Sequence, residues 1–315
     1  MVAAPLAELV VQARAGRARS IGRLVSLVEN VDRELPALMA LLAPDTGRAR
    51  VIGLTGPPGV GKSTTVAALV TALRERDERV AVLAVDPSSP FSGGALLGDR
   101  VRMQQHALDP GVFIRSMATR GHLGGLAVAA PQVIRVLDAA GFDTVLVETV
   151  GVGQSEVDVA GQVDVTLVLL APGMGDGIQA AKAGVLEIGD LFVVNKADRD
   201  GAHLVVRELR NMVALAQREP ADWKPPVLTT SAVDGVGIAE LLVALERFGE
   251  HSDSSGLLGR RRQDRARREI EGLVVSRLRA ALPTHGHSGL SELAVEVAAG
   301  RLDAYAAADR VLGHP

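Results

Sequence analysis

The sequence contains no cysteine and few aromatic residues, and both shortages limit what the protein can be. With no cysteine among 315 residues, disulfides, thiolate metal sites and cysteine nucleophiles are excluded. Aromatic residues make up 2% of the chain, so the core must consist mainly of valine, leucine, isoleucine and alanine. A hydrophobic content of 47% beside 23% charged residues is typical of a globular protein.

The chain also lacks an excess of positive charge and a long hydrophobic run. Its formal net charge of −3 provides no general attraction to nucleic acid or to an anionic membrane. The longest apolar runs, such as 165–172, are too short to span a bilayer, and the first residues carry no apolar core of signal-peptide length. We therefore expect a cytoplasmic protein with no nucleic acid and no membrane among its partners.

Three regions follow one another along the chain. Residues 1–47 have apolar positions at helical spacing, which predicts a helical N-terminal extension. From 48 to 248, short β-branched runs alternate with helical patterns, which predicts an α/β domain with a mostly parallel sheet and helices on both faces. Residues 249–256 indicate a hinge, so 249–315 is expected to form a helical C-terminal arm.

The predicted strands are short, and their ends carry most of the polar motifs. The strands span 51–55, 80–85, 112–114, 144–147, 165–170, 191–194 and 227–230. Helical patterns cover 127–140, 203–216 and 238–248. Ligands of such sheets bind at the carboxyl ends of the strands, so a binding site is expected at that edge.

A glycine-rich loop between the first predicted strand and a helix carries the clearest motif. It matches the phosphate-binding pattern G-x-x-x-x-G-K-[ST] at every fixed position. Its residues are Gly56, Pro57, Pro58, Gly59, Val60, Gly61, Lys62, Ser63 and Thr64. Backbone N–H groups of such a loop surround phosphates, Lys62 brings positive charge to the β- and γ-phosphates, and the Ser63 hydroxyl can ligate Mg²⁺. The alternative is a glycine turn that binds nothing, but such a turn does not explain why Lys62 and Ser63 follow Gly61.

A second motif, further along the chain, indicates recognition of a nucleotide base. Asn195-Lys196-Ala197-Asp198 follows the strand 191–194 and fits the N-K-x-D pattern that recognises guanine. The Asp198 carboxylate can accept from the ring N1–H and the exocyclic amine of guanine, which adenine does not offer. Asn195 would brace the loop, and the stem of Lys196 would cover the base. Ser231-Ala232, after the strand 227–230, is placed to contact guanine O6 through its backbone.

Two acidic residues at strand ends are candidates for a metal site. Asp86 follows the strand 80–85, and Glu148 follows the strand 144–147. Mg²⁺ prefers few carboxylates together with water and phosphate oxygens, and one carboxylate at each strand end would satisfy this preference. Either residue alone could instead be a strand-end cap. Residues 148–151 also occupy the place of a D-x-x-G switch with Glu for Asp, where the Gly151 N–H would contact the γ-phosphate.

Other segments are less specific. The glycine-rich stretches 91–125 and 172–177 lie near the expected phosphate site, where long glycine-rich loops are often functional. The arginine-rich run 260–269 has no interleaved aromatic residues, so a solvated helix face is expected rather than a nucleic-acid surface. His285 and His287 have no third ligand within reach by spacing, so no metal site is expected there.

Together the motifs resemble those of the metallochaperone-type P-loop GTPases, and more closely their MeaB/ArgK branch, bacterial relatives of the human MMAA protein. Residues 56–64, 86–89, 94–100 and 195–198 carry the resemblance, with E-T-V-G-V-G-Q-S-E at 148–156 its most specific piece. It covers nearly the whole chain and implies a P-loop NTPase G domain between a helical N-terminal extension and a helical C-terminal dimerisation arm. It also implies homodimers that hydrolyse GTP to GDP with Mg²⁺ and chaperone an adenosylcobalamin-dependent methylmalonyl-CoA mutase.

The resemblance assigns roles at the phosphate and metal site. Lys62 matches the phosphate lysine, and Ser63 matches the hydroxyl that ligates Mg²⁺. Asp86 and Glu148 match the acidic residues around the metal. Asp99 matches an acidic position of the first switch region, near the metal and the attacking water. The implied catalytic residues are Lys62, Asp99 and Glu148.

The resemblance also assigns the base site and a partner-responsive loop. Asn195, Lys196 and Asp198 match the guanine-binding residues. Asp176 and Lys182 fall in a loop that resembles the region through which the family responds to its partner. Both assignments depend on position in the family's motifs.

Three other functions fit parts of the sequence. A GTPase that serves a nickel enzyme would share the fold, but such proteins usually carry Cys or clustered His ligands, and this chain has no cysteine and seven scattered histidines. A kinase of transport-system components would use ATP and would not need Asn195 and Asp198 as placed. A nucleotide-binding scaffold without turnover is the third.

The expected hydrolysis is slow. Val152 follows Gly151, at the place where many GTPases have a glutamine that positions water. We therefore expect a partner to accelerate hydrolysis by reordering the loops 91–125 and 172–182, which γ-phosphate and Mg²⁺ would hold.

Overall fold

The chain forms two compact units, residues 1–265 and 266–315. The computed structural model describes residues 4–87, 106, 108–119, 129–149, 160–173, 185–215, 219, 222–281 and 289–312. Within these ranges, the larger unit contains a β-sheet covered by helices, and the smaller unit is helical.

A parallel sheet of seven strands lies at the centre of the larger unit. The strands are β1 (Arg50–Thr55), β2 (Val80–Pro87), β3 (Val112–Thr119), β4 (Thr144–Thr149), β5 (Val165–Leu170), β6 (Leu191–Asn195) and β7 (Val227–Thr230). Their order is β3-β2-β4-β1-β5-β6-β7, and each neighbouring pair is parallel. Apolar runs buried on both faces produce such a sheet, and β5 is buried at every position. The predicted α/β class with a mostly parallel sheet is confirmed.

The helices lie on both faces of this sheet or in the smaller unit. In chain order they are α1 (Ala4–Arg14), α2 (Ala18–Glu29), α3 (Leu35–Leu42), α4 (Lys62–Arg74), α5 (Ala130–Ala139), α6 (Val185–Ile188), α7 (Ala202–Leu215), α8 (Ile238–Ser254), α9 (Leu257–Ala281), α10 (Gly289–Ala298) and α11 (Ala304–Leu312). Alternate residues of β1, β2 and β4 face α1, α2, α3 and α5 on one side and α4 and α8 on the other. Helix α7 covers β5 and β6 on the first side.

The N-terminal helices share the core of the sheet. Helix α2 has buried Ile21, Leu24, Val25 and Val28 at helical spacing, so one face of this helix is apolar and packs inward. These residues belong to one hydrophobic cluster with β1, β2, β4 and α5. The segment predicted as helical therefore covers part of one sheet face.

At the amino edge of the sheet, buried carboxylates form ion pairs with partly exposed arginines of α9. Asp190, just before β6, binds Arg261 through two hydrogen bonds of 2.7 Å. Asp164, just before β5, binds Arg262 at 2.9 Å and also pairs with Arg265. The expectation that the run 260–269 is a solvated face is therefore wrong for these three arginines. Their partners lie far back in the sequence, where helical periodicity cannot reveal them.

Backbone groups complete this amino-edge network. The Val51 N–H donates to Asp164 at 3.1 Å, and Arg262 donates to the Ala49 carbonyl at 3.1 Å. Burial raises the pKa of Asp164, but the hydrogen bond from Arg262 and the charges of Arg265 and Arg262 outweigh burial and hold the pKa below its ordinary value. The network therefore fastens the start of α9 to β1 and β5.

The smaller unit contains the rest of α9, with α10 and α11. Its helices expose large apolar side chains, among them Ile270, Val274, Leu290, Val295 and Tyr305. Among the residues that the structure describes, no helix is long and apolar enough to cross a membrane.

Candidate functional site

The glycine-rich loop connects the end of β1 to the start of α4, at the carboxyl edge of the sheet. Gly56, Gly59 and Gly61 all have positive φ angles, of 139°, 78° and 96°. A Cβ on Gly56 would lie 2.2 Å from the Leu169 carbonyl oxygen, and one on Gly61 would lie 2.4 Å from Asn195 Nδ2. Glycine is therefore required at 56 and 61 both by conformation and by the close approach of β5 and β6.

Lys62 points into the loop that precedes it. Its Nζ donates to the carbonyl oxygens of Gly56 at 2.6 Å and Pro57 at 3.1 Å. The side chain is mostly buried, so the ammonium lies inside the loop. An anionic phosphate oxygen is a stronger acceptor for an ammonium than these neutral carbonyls. The loop therefore holds a charge that a phosphate can attract.

Ser63 and Glu148 meet beside the loop. The Ser63 hydroxyl donates to Glu148 Oε1 at 2.6 Å, and both residues are buried. Glu148 pairs with Leu54 of β1 and Ala84 of β2, which puts it between two neighbouring strand ends. Asp86 lies in β2, two residues beyond Ala84.

These oxygen ligands fit Mg²⁺. A hydroxyl and one carboxylate side by side match an ion that takes few protein ligands and completes its shell with water and phosphate oxygens. No group of three or more acidic, His or Cys residues that could hold a metal occurs in the described ranges.

Asn195, the last residue of β6, connects the two predicted motifs. Its Nδ2 donates to the Val60 carbonyl at 2.9 Å, inside the glycine-rich loop. Its Oδ1 accepts from the Thr230 hydroxyl and the Ala232 N–H, each at 3.1 Å. The side chain is 2% exposed, so these bonds lie in the interior. One amide thus holds the glycine-rich loop, β6 and the segment after β7 together.

Lys196 and Asp198 lie beyond Asn195, toward solvent. Lys196 has a φ of 57°, in the left-handed region, and its Nζ donates to the Gly59 carbonyl at 2.6 Å. Asp198 is exposed, and its Oδ1 lies 3.1 Å from the Ser231 hydroxyl oxygen. The structure therefore brings 56–64, 195–198 and 231–232 into one continuous region.

Several predicted residues lie outside the described residues. They are Asp99, Gly151, Val152, Asp176 and Lys182, with most of the stretches 91–125 and 172–182. Within the described part, the arrangement offers backbone donors, two ammonium groups and an exposed carboxylate along one edge. This arrangement can bind a nucleoside polyphosphate and distinguish its base.

Sequence reasoning missed two residues of this region. Thr230 donates its hydroxyl to Asn195 at 3.1 Å, and Asp234 accepts from the Ser231 hydroxyl at 2.5 Å. The spacing Ser231-x-x-Asp234 could have indicated the second contact, since a hydroxyl and a carboxylate three residues apart often bond across a turn. Thr230 gave no comparable signal.

Known proteins resemble this chain throughout its length. The family model described as methylmalonyl-CoA mutase-associated GTPase MeaB matches residues 21–286. A Pyrococcus horikoshii protein named as a GTPase is 44% identical over 314 residues, covering 98% of each chain. The mitochondrial methylmalonic aciduria type A homolog of Mus musculus is 39% identical over 237 residues, 74% of this chain and 57% of that protein.

A solved structure also resembles the fold. The crystal structure of an LAO/AO transport system kinase is 29% identical, has a TM-score of 0.72, and covers 99% of this chain and 98% of its own. The match to this structure covers the residues of both the sheet and the terminal helices. Together with the family model, it spans the glycine-rich loop and the 195–198 loop.

Proposed function

The chain belongs to the family of methylmalonyl-CoA mutase-associated GTPases MeaB, and from this premise we propose that its GTP hydrolysis serves an adenosylcobalamin-dependent methylmalonyl-CoA mutase. The chain is a GTPase of the P-loop fold and binds guanine nucleotide. The observation that carries the proposal is the family match over 21–286, which includes the nucleotide loops and the start of the C-terminal arm. The similarity to the mouse homolog supports it.

The base site of this proposal consists of Asp198, Ser231 and Ala232. Asp198 would accept from guanine N1–H and the exocyclic amine, while the backbone at 231–232 would donate to O6. Asn195 would keep these groups in register with the phosphate loop, because it bonds to both Val60 and Ala232. Lys196 would cover one face of the base with its stem.

The phosphate site consists of 56–64 with Lys62 as its cation. On nucleotide binding, Lys62 would exchange the carbonyls of Gly56 and Pro57 for β- and γ-phosphate oxygens. Ser63 and Glu148 would hold Mg²⁺, directly or through water. A bound Mg²⁺ would neutralise charge that develops on the phosphate oxygens.

Control of hydrolysis is proposed to reside in the two switch stretches. Asp86 and Asp99 would complete the metal and water environment, and the Gly151 N–H would contact the γ-phosphate. Asp176 and Lys182 would lie in the loop that responds to the mutase. With Val152 after Gly151, the isolated protein would hydrolyse GTP slowly until the partner orders these loops.

The active form is proposed to be a homodimer formed through the C-terminal helices. Exposed apolar residues of the smaller unit, such as Ile270 at 62% and Val295 at 60%, support this proposal. Contact with a second copy would cover them. The location of the protein is proposed to be cytoplasmic.

A kinase acting on a transport system is the second candidate, because the structural relative at TM-score 0.72 is named as one. The two functions differ in the acceptor of the γ-phosphate. Water is the acceptor in a GTPase, and a protein side chain is the acceptor in a kinase. Labelled γ-phosphate recovered as inorganic phosphate, with none on protein, would reject the kinase.

The test is GTP hydrolysis with and without a purified methylmalonyl-CoA mutase, over a range of mutase concentrations. We expect slow hydrolysis alone and a saturable increase with mutase. Lys62→Ala with mutase is the control, because it should remain inactive if the phosphate arises at this site. A hydrolysis rate that is unchanged at saturating mutase would contradict the proposed partner and leave the GTPase assignment intact.

A further inference from the structure

The Ser231 hydroxyl lies between two carboxylates, and this placement affects the base site. We propose that Asp234 is a further positioning residue for guanine recognition. It accepts the hydrogen bond from the Ser231 hydroxyl, so that Asp198 can accept hydrogen bonds from the base. This inference rests on the proposed role of Asp198 in reading guanine. It adds a residue that lies outside the N-K-x-D motif and outside Ser231-Ala232.

The distances indicate which carboxylate receives the proton. Ser231 Oγ lies 2.5 Å from Asp234 Oδ2 and 3.1 Å from Asp198 Oδ1. A serine hydroxyl has one proton to donate, so it cannot form a full hydrogen bond to both carboxylates. Hydrogen bonds from a hydroxyl to a carboxylate are strongest at about 2.5–2.7 Å. The geometry therefore favours donation to Asp234.

The backbone around Ser231 fixes this arrangement. The Ser231 carbonyl accepts from the N–H groups of Asp234 and Val236, each at 3.1 Å, and the Ser231 N–H donates to the Val236 carbonyl at 3.0 Å. Ser231 itself is 7% exposed. The turn thus holds the exposed Asp234 carboxylate against the buried Ser231 hydroxyl.

The consequence concerns the strength of Asp198 as an acceptor. Guanine presents two donors to this carboxylate, N1–H and the 2-amine. If Ser231 donated to Asp198 Oδ1, that oxygen would share its negative charge with the hydroxyl proton and would accept more weakly from the base. With the proton on the Asp234 side, Asp198 keeps its acceptor capacity for the base. Hypoxanthine lacks the 2-amine, so the ratio of GDP to IDP affinity reports on this capacity.

Charge repulsion by Asp234 would change GDP affinity in the opposite direction. Asp234 is a second negative charge near Asp198, and like charges near one another are unfavourable. If repulsion dominated, removal of the Asp234 charge would strengthen GDP binding. The two accounts therefore predict opposite changes for the same substitution.

The experiment is titration calorimetry of GDP and IDP against wild type, Asp234→Ala and Asp234→Asn. For Asp234→Ala we expect GDP affinity to fall about tenfold, the effect of one hydrogen bond to a charged group, and IDP affinity to fall less. Asp234→Asn should retain most of the affinity, because its amide oxygen still accepts from Ser231. Glu240→Ala, which removes an exposed carboxylate of α8, is the matched control and should change neither affinity.

A double-mutant cycle separates this mechanism from a structural role. In a Ser231→Ala background there is no hydroxyl proton to direct, so Asp234→Ala should produce no further loss of GDP affinity. Unchanged or tighter GDP binding by Asp234→Ala would overturn the inference. Equal losses for GDP and IDP with a lowered melting temperature, or a full additional loss in the Ser231→Ala background, would also overturn it.

Failure of this inference can be told apart from failure of the guanine site itself. Asp198→Asn, measured in parallel with XDP, tests the base site independently of Asp234. If Asp198→Asn changes base preference and Asp234→Ala does not change the GDP to IDP ratio, the role of Asp234 alone is rejected. If Asp198→Asn leaves base preference unchanged, the base-site assignment is rejected and the inference with it.

Discussion

The two edges of the central sheet contain polar networks of different kinds, although the same strands supply both. At the amino edge, Asp190 precedes β6 and is bound by two nitrogen atoms of Arg261. At the carboxyl edge, Asn195 ends β6 and donates to a backbone carbonyl. The amino edge thus pairs arginines with carboxylates, whereas at the carboxyl edge Asn195, Lys62 and Lys196 donate to backbone carbonyls.

This difference distinguishes a stabilising network from an exchangeable one. A buried carboxylate with arginine partners has no better partner available, so its bonds persist. The ammonium groups of Lys62 and Lys196 donate to neutral loop carbonyls, and an anionic phosphate is a better acceptor. A ligand can therefore exchange with the contacts in which an ammonium donates to a neutral carbonyl.

The largest expected effect is on folding stability, at the amino edge. Asp164→Ala leaves Arg262 and Arg265 without their carboxylate, and breaking one side of a buried pair costs about 3–5 kcal/mol. Urea unfolding should show this loss, while GDP affinity measured under native conditions stays close to wild type. Glu246→Ala, which breaks an exposed pair with Arg76, is the control and should cost about 1 kcal/mol or less. A large loss of GDP affinity in folded Asp164→Ala would mean that the two edges are not separate.

The second effect is on turnover, at the carboxyl edge. Lys62→Ala removes the charge that the account assigns to the γ-phosphate, and loss of one such group costs about 10²–10³ in rate. Its unfolding free energy should differ little from that of wild type, because the Lys62 ammonium donates to the neutral carbonyls of Gly56 and Pro57. Single-turnover GTP hydrolysis and urea unfolding of the same preparation measure both quantities. Full activity in Lys62→Ala would place phosphate binding elsewhere.

The smallest effect is the pH dependence of the folding stability that the amino edge provides. The pKa of Asp164 is lowered in the folded state, so its ionised form stabilises the fold at pH values above the unfolded pKa of about 3.9. This contribution is lost as the pH falls through the folded pKa, and each unit of depression corresponds to about 1.4 kcal/mol. The stability difference between wild type and Asp164→Ala should therefore shrink below about pH 4. A difference that stays constant down to complete acid unfolding would contradict the assignment.

The features that could be predicted from the sequence alone are those that depend on residues close together in the chain. The strands were located from short β-branched runs, but β3 extends to Thr119, beyond the predicted 112–114, because it pairs with β2 over the whole length of that strand. The loop 56–64 could be predicted because glycine is needed where β5 and Asn195 approach the backbone. The N-K-x-D loop could also be predicted, because its four residues are consecutive and follow one strand.

Contacts between distant parts of the chain could not be predicted in this way. Arg261 and Asp190 are 71 residues apart, and Arg265 and the Gln162 carbonyl are 103 residues apart. A run of arginines on a helix has the same local pattern whether it faces solvent or buried carboxylates. Asp234 is an intermediate case, because its partner Ser231 is three residues away but its proposed effect on Asp198 depends on how β6 and β7 pair.

The most direct test of the account is the base preference of Asp198→Asn. An amide at this position has one acceptor oxygen in place of two, and its NH2 group can donate to the extra carbonyl of xanthine. Calorimetric titration with GDP and XDP should show GDP weakened about 10²-fold or more, as expected when one hydrogen bond to a charged group is lost and the other becomes neutral, and XDP strengthened. A variant that folds normally and still prefers GDP over XDP as wild type does would contradict the guanine site at the carboxyl edge.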